Sequence, residues 1–420
     1  MVARQLYSWL ESVSEQPQIV QIFGLRQTGK TTLMDEFRKK YPSALYWPLF
    51  DLVILRQYED HPEKWVLEVE AALKKRTEEG SFLHIFVDEV QKIPAFFQAI
   101  QGLYDKHKGK LKFWIWGSSA RAIKRHRAET LAGRSFSKVL WPLSQSELLV
   151  KKSALPYLFD PKSLETTLQF SEPRDYSFSL LKWLQQTLLP EPCLQNETPV
   201  AHQILQSYQA TYLENEIRRE NLVQVIGLFE QFLSLAASEN TFIANHAAKA
   251  KVLGISPHTV KTYYNILEDT FVCRSIRAYS KSLRVQISKS PKIYFADAGL
   301  ARFIAGERGL PVESSSQFGV LFEGFVVNEI IKQIEYQNLP WKLSYLRTKT
   351  GMEIDLIITN GTQKIALEIK SSKNISPDDY QPINNLMEMD PEIKHGIVIS
   401  RQSAPFQLAK NIYSFPVWNL

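Results

Sequence analysis

The chain has 420 residues, 44% of them hydrophobic and 22% charged, an ordinary globular composition with length for about two or three domains. Lys and Arg number 50 against 44 Asp and Glu, so a formal charge of +6 gives a mild basic excess that suits a phosphate-rich partner. Two cysteines, Cys193 and Cys273, are too few for a four-ligand zinc site and too far apart for a CxxC pair. The start lacks the apolar core of a signal peptide and no stretch holds about 18 apolar residues in a row, so the expectation is a soluble cytoplasmic protein with no membrane partner.

Ile19 to Phe23 reads as a short apolar strand that passes through a glycine-bracketed loop into a helix starting at about Lys30. The spacing Gly24-x-x-x-x-Gly29-Lys30-Thr31 is a complete P-loop pattern in its strand-loop-helix context. Glycines let the backbone curl so that successive N–H groups and the helix N-terminus point at phosphate oxygens. Gly24, Thr28, Gly29, Lys30, Thr31 and Thr32 are therefore the expected ATP cradle. Lys30 is expected to reach the β and γ phosphates, and Thr31 to place its hydroxyl on Mg²⁺.

Phe82 to Val87 is a second apolar run, of the kind buried on both faces of a parallel sheet, and it ends in Asp88 and Glu89. Asp88 is expected to hold Mg²⁺ through its water shell and Glu89 to polarise the attacking water, which favours hydrolysis over passive nucleotide binding. A third strand, Phe113 to Trp116, opens into Gly117-Ser118-Ser119, where Ser118 is expected to sense the γ-phosphate. Arg134, in "ETLAGRSFSKVLWPLSQSEL", fits a sensor or finger arginine and equally a connector residue. A finger acting on a neighbouring copy makes a homo-oligomer compatible with this reading.

Residues 151 to 210 contain a stretch rich in prolines and polar residues and read as a helical lid and linker. Beyond them an alanine-rich helix stops at Gly254, and Ser256 with Pro257 has the form of an N-cap and first helical position for a second amphipathic helix. That is helix-turn-helix grammar, and the strand-like segments after it suggest a winged helix. His258, Lys261, Thr262 and Asn265 would be exposed on the second helix, with Lys281, Arg284 and Lys289 in the wing, as a DNA-contacting surface or as a protein-contact module.

In the tail, "GMEIDLIITNGTQKIALEIKSS" reads as a hairpin with a two-residue loop at Asn360 and Gly361. That register sets Asp355 opposite Ala366 and puts Asp355, Glu368 and Lys370 on one face, with Ile354, Leu356, Ile358, Ile365, Leu367 and Ile369 on the other. Two converging carboxylates form a hard oxygen site suited to Mg²⁺ or Mn²⁺, and the nearby lysine can orient or deprotonate a water.

Asp355 with Glu368-Ile369-Lys370 resembles the D…(D/E)-X-K signature of the PD-(D/E)XK nuclease superfamily. The resemblance implies a helix acid at the metal site, for which Glu323 is the candidate, with Glu329 nearby on the same helix. The motifs "GLRQTGKTT", "FVDEVQKIP", "GSS" and "LAGRSFSKVLWPLS" resemble a prokaryotic family of AAA-type ATPases whose C-terminal domain ends in a nuclease-like segment. The expected architecture is α/β: an AAA-type P-loop domain (1–150), a helical lid and linker (151–210), a helical and winged-helix domain (211–310) and a restriction-endonuclease-like domain (311–420). The expected activity is Mg²⁺-dependent ATP hydrolysis coupled to metal-dependent cleavage of DNA. The alternative is an ATP-dependent nucleic-acid or protein-binding switch with an inactive nuclease-like tail.

Overall fold

A computed structural model of the chain describes residues 2–76, 82–118, 131, 133–160, 176–218, 223–280, 289–348, 351–361 and 363–420. They divide into two compact units, residues 1–141 with 269–271, and residues 142–268 with 272–420.

The first unit is built on five parallel strands: β1 (Ile19–Phe23), β2 (Leu45–Pro48), β3 (Leu83–Asp88), β4 (Leu111–Gly117) and β5 (Ser135–Val139), in the order β2-β3-β4-β1-β5. Every residue of β1, β3 and β4 is buried, which is why these strands read as unbroken apolar runs rather than alternating ones. Trp65 stacks on Phe96 with ring centroids 4.4 Å apart, inside a core that also takes in Trp47, Ile85 and Phe113. Because the strands are parallel, their carboxyl ends share one edge of the sheet. Gly24 after β1, Asp88 at the end of β3 and Gly117 at the end of β4 all lie there.

In the second unit, α1 (His246–Leu253) is capped by the Asn245 side chain, which accepts from the Ala248 N–H at 2.9 Å, and ends at Gly254, whose φ of 66° is left-handed. The Ser256 hydroxyl accepts from the Thr259 N–H at 3.0 Å and opens α2 (Pro257–Asp269), as the sequence leads one to expect. On α2, His258, Lys261 and Asn265 are exposed and Thr262 is half-buried. The antiparallel pair β6 (Cys273–Ile276) and β7 (Lys292–Phe295) follows. Lys281 and Arg284, assigned to the wing, lie outside the described residues, as does Ser119.

The tail forms a mixed sheet of β8 (Trp341–Arg347), β9 (Glu353–Asn360), β10 (Gln363–Lys370), β11 (Ile393–Ser400), β12 (Gln407–Ala409) and β13 (Ile412–Pro416), ordered β12-β13-β11-β10-β9-β8. The helices α3 (Ser316–Tyr336) and α4 (Pro377–Met389) both pack on β10.

The expected register of this hairpin needs correction. Asn360 pairs with Gln363 and Leu356 with Leu367, so the turn sits one residue later and Asp355 falls in line with Glu368 rather than Ala366. A two-residue shift preserves the face of every side chain, so Asp355, Glu368 and Lys370 still share one. That face is also packed: Ile357 and Ala366 are fully buried in a cluster with Ile383 and Leu386 of α4. Interior packing, absent from a strand-alternation argument, thus covers part of the face that carries the three charges.

Candidate active sites

In the first unit the loop after β1 is held open by backbone that only certain residues adopt readily. Gly24 has φ 149°, and a Cβ there would meet the Leu140 carbonyl oxygen at 2.2 Å; Gly29, at φ 85°, starts the helix Lys30–Arg38. The buried Thr28 hydroxyl donates to the Leu25 carbonyl at 2.9 Å, and Arg4 donates to the Thr28 carbonyl at 2.6 Å, fixing the loop from both sides. Lys30 Nζ donates to the carbonyls of Gly24 and Leu25, each at 2.9 Å, so its ammonium lies within the loop. Thr32 is exposed on the first turn of the helix.

The Thr31 hydroxyl donates to Asp88 Oδ2 at 2.8 Å, and Trp116 Nε1–H reaches the same hydroxyl at 3.4 Å. Asp88 is buried, and burial, followed by the Glu89 charge, pushes its pKa up to about 7 against the pull of Thr31, Trp116 and Lys30. Its Oδ1 is buried and has no hydrogen-bond partner among the described residues. A hydroxyl and a carboxylate with spare, desolvated acceptor capacity fit a magnesium ion, which would supply positive charge beside the phosphates.

Glu89 sits at φ 53°, which turns its side chain out of the strand; its carboxylate accepts from the Gln91 amide and from the Ser118 hydroxyl, the latter at 3.4 Å. β4 lies between β1 and β3, so Ser118 is brought between the P-loop and the Asp88-Glu89 pair. Gln91, missed from sequence, also approaches Gly117, where a Cβ would meet its Oε1 at 2.0 Å.

Arg134 needs correction as a nucleotide contact within its own chain. Its carbonyl accepts from Ile19 N at 3.0 Å, at the amino end of β1 and β5, the sheet edge opposite the P-loop. Its guanidinium pairs with Asp105 through Nε at 2.9 Å and through Nη2 at 3.1 Å. Five residues of strand, roughly 16 Å, separate that edge from the phosphate loop.

The second cluster lies in the tail. Asp355 Oδ2 accepts from the Ile369 N–H at 2.8 Å, and Lys370 Nζ lies 3.0 Å from Glu368 Oε2. Glu368 is buried, its Oε1 has no partner among the described residues, and burial together with the Asp355 charge raises its pKa to about 8. Burial likewise raises Asp355, and burial and Asp355 raise Glu323 to about 7. Of the two α3 glutamates weighed from the sequence, Glu323 joins this cluster. Glu329 is fully buried elsewhere, 2.7 Å from Lys332 and accepting from Gln145 N at 2.9 Å.

Sequence reasoning missed the group at the middle of the cluster. Lys292 Nζ, on β7, stands 3.1 Å from Glu323 Oε1, 3.3 Å from Glu353 Oε1 and 3.9 Å from Asp355 Oδ1. Burial pulls its pKa down, but Glu323, Asp355 and Glu353 together outweigh that and raise it. Tyr294, two residues on, donates its hydroxyl to Glu323 Oε1 at 2.7 Å. Among the described residues no group of three or more His, Cys, Asp or Glu is placed to hold a metal ion. Asp355 thus acts on both Glu323 and Glu368, while the Lys292 ammonium stands among Glu323, Glu353 and Asp355. The available signal was a lysine and a tyrosine alternating in the short strand "KIYF".

Residues 16–149 match the AAA domain family, and residues 179–310 and 318–420 match two families each described as a domain of unknown function. The first unit's parallel sheet and loop geometry accord with that match, and this part of the chain is an AAA-type P-loop ATPase domain. Across the length, the chain is 24% identical over 360 residues to the uncharacterized protein Rv2008c of Mycobacterium tuberculosis, covering 85% of this chain and 71% of that one. It is 23% identical over 378 residues to the uncharacterized protein MJ1544 of Methanocaldococcus jannaschii, covering 85% and 79%. Among solved structures, the Walker-type ATPase PABY2304 of Pyrococcus abyssi is similar over 72% of this chain and 96% of its own at 12% identity, with a TM-score of 0.43. No described helix is long and apolar enough to cross a membrane.

Proposed function

We propose that the protein is a Mg²⁺-dependent ATPase acting as a switch, in which turnover in the first unit changes what the second unit holds. The observation that carries this reading is the 2.8 Å bond from Thr31 to Asp88 beside the P-loop, with Asp88 Oδ1 left for a hydrated cation. In this reading Lys30 leaves its loop carbonyls for the β and γ phosphates. Glu89, released by Gln91, orients the attacking water, and Ser118 reports the γ-phosphate to Glu89.

For the second unit, binding rather than cutting is the better-supported role, because Lys292 stands among the tail carboxylates. DNA is the partner we assign, through the exposed His258, Lys261 and Asn265 of a winged-helix segment formed by α1, α2, β6 and β7. The second reading, a Mg²⁺- or Mn²⁺-dependent nuclease, draws on one observation: Asp355, Glu368 and Lys370 share a strand face, and Glu368 Oε1 is buried without a partner among the described residues. We place the protein in the cytoplasm, with two buried free thiols, and treat self-association through Arg134 as open to both readings.

The test compares wild type, Lys30→Ala and Glu368→Ala for phosphate release from ATP, retention of duplex DNA and cleavage of linear, circular and branched DNA. The switch reading expects no cleavage by any protein, ATP turnover lost only in Lys30→Ala, and DNA retention that depends on nucleotide in wild type. Cleavage that vanishes in Glu368→Ala would establish the nuclease instead. Unchanged turnover in Lys30→Ala would remove the ATPase assignment itself.

A further inference from the structure

We propose that Lys292 is the resident cation of the tail's carboxylate cluster: its ammonium supplies the positive charge among Glu323, Glu353 and Asp355, and the domain takes up no divalent cation while that lysine is in place. This rests on the reading of the tail as a binding domain, and it explains why a complete D…E-X-K motif need not imply a metal site.

The lysine is built in rather than draped over the surface. Its side chain is only 5% exposed. β7 is held on both edges: β6 pairs Ile276 with Lys292, and on the other side Thr241 N donates to Ile293 O at 2.7 Å while Ile293 N donates to Phe242 O at 3.0 Å. A buried strand anchored in this way delivers Nζ to one place. The same face of β7 also delivers Tyr294, so Glu323 Oε1 already accepts from a hydroxyl at 2.7 Å and an ammonium at 3.1 Å.

A divalent ion bound to Asp355 or Glu323 would bring two like charges within a few ångström of each other in a desolvated setting. It would also have to take carboxylate oxygens away from donors that hold them. The second observation lies beside Asp355: Glu368 Oε1 is buried and unpartnered among the described residues, acceptor capacity that these lysines leave unused. Removal of the Lys292 charge would leave that oxygen, Asp355 and Glu323 with a shared deficit of positive charge, which a divalent cation is suited to fill.

The experiment titrates Mn²⁺ into the nucleotide-free full chain and follows free Mn²⁺ by electron paramagnetic resonance, for wild type, Asp355→Asn, Lys292→Met, Lys292→Arg and the double variant Lys292→Met/Asp355→Asn. Wild type and Asp355→Asn should titrate identically up to about 1 mM. Lys292→Met should gain one Mn²⁺ per chain, bound about tenfold or more tightly than any uptake by wild type, and the double variant should lose it. Lys292→Arg keeps the charge and should gain nothing. Uptake by wild type that Asp355→Asn abolishes would overturn the proposal, as would a Lys292→Met protein with native circular dichroism that binds no more than wild type. Should Lys292→Met not fold, the comparison of wild type with Asp355→Asn still decides. DNA cleavage is not the readout, so a tail that binds Mn²⁺ yet cuts nothing would refute this inference and leave the switch reading intact.

Discussion

Replacement of Asp88 by asparagine should make the first unit more stable at neutral pH while abolishing ATP turnover. In the folded protein the Asp88 pKa rises from 3.8 to about 7, chiefly because the carboxylate is buried. A raised folded pKa means that the native state holds the proton more tightly than the unfolded chain. The associated stability is fully present below the ordinary carboxylate pKa and is lost as pH rises through about 7. The whole shift corresponds to about 4 kcal/mol, and the part lost between about pH 5 and pH 8 is about 3 kcal/mol. Asparagine keeps an acceptor for the Thr31 hydroxyl and carries no charge to desolvate, so this loss is absent from the variant. Urea unfolding of both proteins, followed by tryptophan fluorescence of the first unit, should therefore show their difference growing by that amount across the range. Mg²⁺ with ATP should narrow the gap, because it binds and stabilises only a native state that offers the carboxylate. A difference that stays within about 0.5 kcal/mol at every pH would refute the desolvation argument.

Gly24→Ala places a Cβ 2.2 Å from the Leu140 carbonyl at a φ of 149°, so a loss of about 3 kcal/mol or more is expected in urea unfolding. A loss below about 1 kcal/mol would mean that the loop gives way easily. Lys332→Met leaves the fully buried Glu329 without the ammonium 2.7 Å away and should cost about 3–5 kcal/mol. The double change Lys332→Met/Glu329→Gln should be milder than the single one, and the opposite order would contradict a charge-burial cause. Arg134→Ala should lower ATP turnover less than about twofold and leave the urea midpoint nearly unchanged, since the residue forms a partly exposed pair with Asp105. A turnover loss of about tenfold or more would show that Arg134 acts across an assembled interface.

The P-loop and its partners were legible because their chemistry is local. A glycine is needed where φ is 149° or 85°, a helix must begin at Lys30 to aim its N–H groups, and strands buried on both faces must be apolar throughout. The caps Asn245 and Ser256 act within a few residues, and Ser256 was readable for the same reason. Glu323 could be ranked only against Glu329, since one helix presents both and the fold decides which of them faces Lys292.

What tertiary structure alone decided is longer in range. The parallel strand order puts Arg134 at the edge away from Lys30, although both belong to motifs of the same domain. The hairpin register differs by two residues from the one the Asn-Gly turn signal implies, and it pairs Ile357 with Ala366 in a layer packed against α4. Lys292 reaches the carboxylates from a strand distant in sequence, which no spacing rule within the D…E-X-K motif encodes. The sequence alone thus determined the local features, the glycine-bracketed loop, the helix start and the apolar strands, through backbone geometry and side-chain chemistry. Tertiary structure decided which charges meet, because desolvation makes the partner of a buried carboxylate a matter of what the fold brings within about 4 Å.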